Sequence, residues 1–294
     1  MAAPARGFNS LRTYLEMIKI EHSVFALPFA MVGMVWGSVA DGGSGWPGWR
    51  VFGLIVLCMV SARSAAMAFN RIADREIDAK NERTKSRAIP AGLLSLRHAN
   101  LFLYASCAIF FTGAALLNPL TLALSPIALF TILFYSRTKL FTPLCHFVLG
   151  ASLGITPAAA WAAVTGRLDW QILPVCLGVM FWTAGFDIIY SLQDEEFDRE
   201  QRLRSLPETL GKSRALSISR LCHVLAVVLL GLGVAMMESG ALSWVGLAVV
   251  CGILIYEQSV VKPHDLSRVN LAFMTLNGFV SIGFFLFVMV DLWM

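Results

Sequence analysis

The sequence carries little charge. Charged residues make up 14% of its 294 residues, whereas soluble domains carry about 25%. A soluble fold of this length needs a polar shell, and the chain has too few charged side chains to form one. The composition therefore excludes an ordinary soluble enzyme, and because it is so apolar it also excludes a disordered chain.

Cysteine is also scarce, and its spacing suits neither cross-links nor metal binding. The six cysteines contain no C-x-x-C pair, and all but Cys145 lie well inside apolar runs. We interpret them as small buried hydrophobic residues, which excludes a disulfide scaffold and argues against a zinc or iron–sulfur site. The N-terminal segment lacks a short apolar stretch followed by a cleavage site, so no cleaved signal peptide is expected.

The sequence is rich in long hydrophobic segments. Hydrophobic residues make up 57% of the chain and its mean hydropathy is +0.70, while a bilayer core of about 30 Å needs roughly 17–25 apolar residues per helix. Nine such runs predict an all-α polytopic membrane protein, a bundle that forms a single domain over residues 1–294. The predicted helices cover approximately residues 23–40, 51–69, 99–118, 120–136, 146–164, 172–190, 216–236, 241–260 and 270–290.

The basic residues are divided unevenly between the two ends of these helices. If the N-terminus is cytoplasmic, twenty of the 23 Lys and Arg residues fall in inside segments. Only Arg50 and Arg167 fall outside, and Arg63 lies within the second run. The positive-inside rule therefore predicts a cytoplasmic N-terminus and an outside C-terminus, in a bacterial-type inner membrane. The net charge of +4 then reflects this asymmetry, and no nucleic-acid partner is expected.

Two of the inside loops, residues 70–98 and 191–215, are long, polar and similar to each other. Each carries two aspartates four residues apart, followed by a basic stretch, and the two pairs are offset by 120 residues. This similarity predicts two four-helix repeats plus one further helix. The matching residues are Asn70, Asp74 and Asp78 after the second predicted helix, and Tyr190, Asp194 and Asp198 at the end of the sixth.

The spacing of four indicates the chemistry of these loops, because residues four apart share one helix face. Two carboxylate stripes that face one cavity repel each other unless cations neutralise them. Carboxylate oxygens suit Mg²⁺, which typically bridges carboxylates to substrate phosphates. The sequence therefore predicts a diphosphate–Mg²⁺ site, with solvated helix caps as the simpler alternative. The basic residues expected to hold phosphate oxygens are Lys85, Arg87, Arg137 and Lys139.

Two ionisable residues lie deeper in the predicted helices. Arg63 and Asp187 precede Asn70 and Asp194 by seven residues, two helical turns, and therefore point along the same stripes into the bilayer. An ionisable residue at depth costs about 2.5–3.5 kcal/mol on insertion scales and usually faces a functional cavity. We interpret both as candidate catalytic residues. The alternative is a structural ion pair between Arg63 and Asp187.

The motifs resemble those of the UbiA-type intramembrane prenyltransferases, over nearly the whole sequence. That family has nine transmembrane helices, a cytoplasmic N-terminus and two aspartate-rich motifs, the first written N-D-x-x-D-x-x-x-D. Asn70, Asp74 and Asp78 match the first motif, whereas Arg71 stands where the family has an acid. The matches elsewhere are Asp194 and Asp198 to the second motif, Tyr135 and Lys139 to the Y-x-x-x-K after helix 4, and Lys85 and Arg87 to the basic run.

The resemblance implies Mg²⁺-dependent transfer of a polyprenyl group from a polyprenyl diphosphate to an aromatic acceptor in quinone biosynthesis. Its default acceptor is 4-hydroxybenzoate, with Asp187 near the acceptor or its proton and Arg63 near an acceptor anion. The implied metal ligands are Asp74, Asp78, Asp194 and Asp198. The implied diphosphate contacts are Asn70, Lys85, Arg87, Tyr135, Arg137 and Lys139.

The sequence is also compatible with other functions. Arg71 and the Lys19-Ile-Glu-His22 start are similar to family members that serve menaquinone pathways, with a futalosine-derived or naphthoate acceptor. The same Lys19-to-His22 segment is also interpreted as an interfacial anchor. A secondary transporter would explain the repeat and the buried charge, although the acids cluster at helix ends rather than at the midplane. A phospholipid-type alcohol phosphotransferase would need one tight motif instead of two.

Overall fold

The computed structural model describes residues 13, 14, 16–18 and 25–294, and this part of the chain is helical with no β-strand. Eight of its segments are long and apolar enough to cross a membrane, and the 14-residue helix Leu27–Ala40 is a shorter apolar helix. The prediction of an all-α polytopic membrane protein is therefore confirmed. The main helices are α1 (Leu27–Ala40), α2 (Trp49–Ala73), α3 (Leu96–Leu117), α4 (Pro119–Thr138), α5 (Cys145–Thr165), α6 (Leu173–Ser191), α7 (Lys212–Met236), α8 (Ala241–Val260) and α9 (Asn277–Leu292).

The helix boundaries follow local backbone chemistry. The Asn118 side chain accepts a hydrogen bond from the Thr121 N–H at 2.9 Å, and Pro119 is the first residue of α4. Asn118 thus caps α4, and the predicted break between the third and fourth helices is confirmed. α5 ends at Thr165 and is followed by Gly166, whose φ of +67° lies in the left-handed region that glycine adopts without strain. The Lys19-to-His22 segment and the first two residues of the first predicted helix lie outside the described residues.

The helices pack in two groups, which meet mainly where α4 packs on α5. α1, α5, α6, α7, α8 and α9 contact one another in sequence around a ring, because α9 packs back onto α1. α2, α3 and α4 pack together on the other side, and α4 also packs on α5. Contacts between α2 and either α1 or α5 are sparse. This leaves space between α2 on one side and α1, α5 and α6 on the other.

Two glycines bring α5 close to α6. A Cβ atom on Gly150 would lie 2.3 Å from the carbonyl oxygen of Met180, and one on Gly154 would lie 2.6 Å from that of Cys176. Small residues four apart are the usual means of close helix approach in membranes. This packing sets the register of the two antiparallel helices and brings the start of α5 beside the end of α6.

The chain breaks its helical path at both aspartate motifs. α2 ends at Ala73, and a short helix, Arg75–Asp78, begins after Asp74. α6 is followed by a 3₁₀ turn, Leu192–Asp194, and then by the helix Glu195–Glu200. Each motif therefore begins at the end of a long helix and continues into a short one, which is consistent with the predicted repeat.

Candidate active site

A polar cavity of about 190 Å³ lies where the two aspartate-bearing loops meet. All four aspartates of the two motifs line it, together with Asn70, Arg83, Arg87, Tyr135, Lys139 and Tyr190. Asp74 and Asp78 are buried, each 4% exposed. The structure thus brings together residues 120 positions apart in the sequence. It also places them at one end of the bundle, as the motif spacing predicts.

Three of these aspartates each pair with a basic side chain. Lys139 pairs with Asp74, and a guanidinium nitrogen of Arg87 lies 2.7 Å from Asp78. The third pair joins Asp194 to Arg83 at 2.6 Å. The repulsion expected among clustered carboxylates is therefore balanced by side chains of the protein itself.

Arg83 links the two loops. Its guanidinium donates two hydrogen bonds to the Asp194 carboxylate, at 2.6 and 3.2 Å, and a third to the Tyr190 hydroxyl at 2.9 Å. Burial lowers the pKa of Arg83, but the charge of Asp194, the interaction with Tyr190 and these hydrogen bonds raise it above its ordinary value overall. The sequence places Arg83 beside Lys85 and Arg87, and spacing alone did not distinguish which of the three faces the cavity.

Lys85 and Arg137 lie apart from both motif pairs. The Lys85 ammonium pairs with Glu82 and is 54% exposed, and Arg137 is exposed near the end of α4. Neither residue lines the polar cavity. A phosphate contact by either would require its side chain to move, whereas Arg87 and Lys139 already face the cavity.

An apolar chamber of about 300 Å³ continues from the polar cavity into the bundle. Its aromatic wall includes Phe25, Phe186 and Phe273, and the rings of Tyr190 and Phe273 lie 4.3 Å apart. A smaller apolar pocket of about 90 Å³ shares four residues with the chamber and extends it between α2, α3, α4 and α5. The polar cavity and the chamber share Asn70, Arg87, Tyr135, Ser136, Asp187 and Tyr190.

Asp187 lies at the junction of the two cavities. Its carboxylate is 2.7 Å from Nδ1 of His146, and the ion pairs found among the described residues include this one but not the alternative Arg63–Asp187 pair. Arg63 lines the chamber, as does Arg71, which is 7% exposed and donates to the Asn70 side chain at 3.1 Å. Sequence spacing did not indicate a role for His146, because its partner is 41 residues away.

These features define a multi-pass membrane protein in which a polar, aspartate-lined cavity adjoins an apolar chamber. A model of the UbiA prenyltransferase family matches residues 26–282. The chain therefore belongs to the UbiA prenyltransferase family, and the transporter and phosphotransferase alternatives are set aside.

Individual relatives are similar over most of their length. The chain is 28% identical to the 4-hydroxybenzoate octaprenyltransferase of Vibrio campbellii, over 96% of this chain and 98% of the relative. It is 36% identical to a UbiA homologue from Aeropyrum pernix K1, solved in its apo form, with a TM-score of 0.82 over 92% and 98% of the two chains. A UbiA homologue from Archaeoglobus fulgidus, solved with GPP and Mg²⁺, shares the fold at 20% identity, with a TM-score of 0.73 over 96% and 100%.

Proposed function

We propose that this protein transfers a polyprenyl group from a polyprenyl diphosphate to 4-hydroxybenzoate, with Mg²⁺, in quinone biosynthesis. The observation that carries the proposal is the shared wall between an aspartate-lined polar cavity and an apolar chamber. A diphosphate head fits the first compartment and a prenyl chain fits the second. The name of the Vibrio campbellii relative supports this choice of acceptor.

The donor set of the polar cavity suits Mg²⁺. Within the described residues, no group of three or more His, Cys, Asp or Glu side chains is already arranged around one point. The oxygen Oδ2 of Asp78, however, is buried without a hydrogen-bond partner, and such an oxygen is costly unless a ligand uses it. Hard carboxylate oxygens are what Mg²⁺ prefers. The residues that would hold it are Asp74, Asp78, Asp194 and Asp198.

The basic residues of the cavity then have a second role. When bound, Mg²⁺ would neutralise the diphosphate and make it a better leaving group. The carboxylates that now pair with basic residues would turn to the metal, and Arg83, Arg87 and Lys139 would turn to phosphate oxygens. These three cations stabilise negative charge on the diphosphate as the bond from carbon to oxygen breaks.

The chamber supplies a dry environment for the prenyl group. Its aromatic and aliphatic side chains would keep water away from an allylic cation, which water would otherwise convert into an alcohol. The ring carbon of the acceptor attacks the allylic carbon as the diphosphate leaves with the bonding electron pair. Arg63 holds the acceptor carboxylate, and Asp187 accepts the proton that the ring carbon loses.

A menaquinone-pathway acceptor is the second candidate. Arg71 adds a second guanidinium to the lining of the chamber, eight residues after Arg63 on α2. An acceptor with a larger acidic substituent, such as a futalosine derivative or a naphthoate, would contact both cations. This observation favours a test of several acceptors in one experiment.

The test is an acceptor panel on purified membranes with Mg²⁺ and a long-chain prenyl diphosphate. The panel contains 4-hydroxybenzoate, a naphthoate and aminodeoxyfutalosine, and the controls are EDTA and the Asp74→Asn and Asp194→Asn variants. We expect prenylated 4-hydroxybenzoate that disappears in every control. Product from another acceptor alone would move the protein to the second candidate. No product from any acceptor, with the diphosphate intact, contradicts the proposal.

A further inference from the structure

A buried histidine holds Asp187 in place. His146 lies in the first turn of α5 with its side chain 2% exposed, and its Nδ1 is 2.7 Å from Oδ2 of Asp187. On its other side, Nε2 accepts a hydrogen bond from the backbone N–H of Leu206 at 3.3 Å. Leu206 begins a short helix, Leu206–Leu210, in the second aspartate-bearing loop. The imidazole thus has a defined partner for each of its nitrogens.

The two partners fix the tautomer of the ring. A backbone N–H only donates, so Nε2 must carry a lone pair rather than a proton. The ring proton then resides on Nδ1, where it is donated to the Asp187 carboxylate. A neutral imidazole in this tautomer holds Oδ2 of Asp187. The other carboxylate oxygen remains for the chamber, which Asp187 lines.

We propose that His146 is a positioning residue for prenyl transfer, which holds Asp187 so that its carboxylate is aimed at the acceptor. This inference rests on the proposed function. In the step concerned, the acceptor ring carbon has bonded to the allylic carbon and the diphosphate has left with its electron pair. The proton on that ring carbon passes to Asp187, and the electron pair of the broken C–H bond restores the aromatic ring. His146 keeps its own proton throughout.

A purely structural role for His146 predicts a different outcome. In that case the histidine would matter because it ties the Leu206–Leu210 helix to α5, through Nε2. The two roles use different ring nitrogens and can therefore be separated. An asparagine amide reaches the position of Nδ1 and keeps a donor for Asp187, whereas a glutamine amide reaches the position of Nε2 and keeps an acceptor for Leu206.

The experiment compares His146→Asn and His146→Gln in the full-length protein in membranes. Steady-state turnover is measured with 4-hydroxybenzoate and with the same acceptor deuterated at its ring carbons. A hydrogen bond to a charged group corresponds to roughly a 10- to 100-fold effect, so we expect kcat of the Gln variant to fall by about that factor. Its KM for prenyl diphosphate should stay near that of the wild type. We also expect turnover of the Gln variant to slow on deuteration, because proton removal becomes rate-limiting.

The turnover of the Asn variant should fall by no more than about tenfold relative to the wild type, and deuteration should slow it no more than it slows the wild type. His264→Gln, which replaces an exposed histidine between α8 and α9, is the matched control.

Two outcomes overturn the inference: an Asn variant as impaired as the Gln variant, or a Gln variant without an isotope effect. Wild-type activity would still uphold the proposed function in either case. If the wild type prenylates only another acceptor of the panel, the same comparison is made with that acceptor deuterated at its reacting carbon. No wild-type product from any acceptor contradicts the proposed function and the inference together.

Discussion

At the scale of single residues, the two aspartate motifs are held differently. Asp74 and Asp78 are almost fully buried, whereas the Asp194 side chain is 20% exposed and is held by Arg83 from the other loop. The position of the first motif is therefore set by burial, whereas the position of the second is set by an ion pair between the two loops. Substitution of either motif tests a different part of the cavity.

Asp78 has the sharpest expected effect. Asparagine at position 78 replaces the buried, unpartnered oxygen Oδ2 or its neighbour with a neutral donor, and it removes the charge that faces Arg87. We expect Asp78→Asn to lower prenyl transfer by at least ~100-fold, the size typical for loss of one electrostatic contact to developing charge. The Mg²⁺ concentration for half-maximal activity should rise. Glu76→Gln, an exposed acid on the same short helix, is the control and should leave both values close to those of the wild type.

Arg87 and Lys85, in the basic stretch after the first aspartate motif, are expected to have different roles. Arg87 lines both cavities, whereas Lys85 is exposed and pairs with Glu82. We expect Arg87→Ala to raise KM for the prenyl diphosphate by about tenfold or more, because a charge-assisted contact is worth roughly 1.5–3 kcal/mol. Lys85→Ala should change it much less. Equal effects in the two variants would show that the stretch rearranges when substrate binds.

The residues that could be predicted from the sequence are those whose signal is local. Asp74 and Asp78 are four apart on one segment, so their shared face follows from helical geometry. Arg83 and His146 acquire their roles from partners 111 and 41 residues away. Which basic side chain faces inward depends on how the loops fold against each other, and no spacing rule contains that information.

At the scale of helices, the close approach of α5 and α6 sets the geometry of the site. Gly150 and Gly154 lie on the same helix as His146, and their neighbours lie on the same helix as Asp187. Any shift that separates these helices lengthens the hydrogen bond between His146 and Asp187. We therefore expect stability and activity to be coupled at this interface.

Gly150→Ala tests that coupling. The added Cβ would lie 2.3 Å from the Met180 carbonyl oxygen, so the backbones must separate. Overpacking of this kind costs about 1–3 kcal/mol. We expect a lower thermal unfolding temperature in detergent together with reduced turnover. Gly252→Ala, on α8 with open space around its Cβ position, should leave both unchanged or raise stability slightly; a similar loss in both variants would contradict the coupling.

The helices themselves could be predicted well from hydropathy, but their irregularities could not. α9 is preceded by a π-helical turn, Leu271–Leu276. Asn277 follows this turn, and its amide donates to the Ala272 carbonyl and to Glu257 on α8. Its carbonyl also accepts from Trp182 on α6 at 2.7 Å. Side chains of three helices thus stabilise the distortion, and a hydropathy profile contains only the apolar run.

At the scale of the whole molecule, side-chain contacts place the connections between helices at two opposite ends of the bundle. Arg167 in the α5–α6 connection pairs with Asp41 after α1 at 2.8 Å, and Ser243 at the start of α8 donates to Asp291 near the C-terminus. Asn118, between α3 and α4, bonds to the last turn of α5. These connections share one end, and the aspartate-bearing loops share the other. The alternation matches the prediction from the basic residues, whose absolute orientation stays a prediction.

Orientation in the membrane is tested by labelling. Single cysteines introduced into a cysteine-free variant at Gly43 and Arg167 should react with a membrane-impermeant maleimide on intact cells. A cysteine at Lys80 should react only after the membrane is opened. We expect this pattern because the basic loops remain on the cytoplasmic side. Labelling of Lys80 on intact cells would reverse the orientation.

The boundary between the polar cavity and the apolar chamber has a further consequence. A polyprenyl diphosphate placed across it behaves like a surfactant at an interface between oil and water, because each end has its preferred solvent on one side. Its position along the boundary is set by the head, while the tail only has to remain in the apolar phase. Under the proposed function, we expect such a site to fix the distance from the diphosphate to the bond that breaks, and to depend less on how many isoprene units follow.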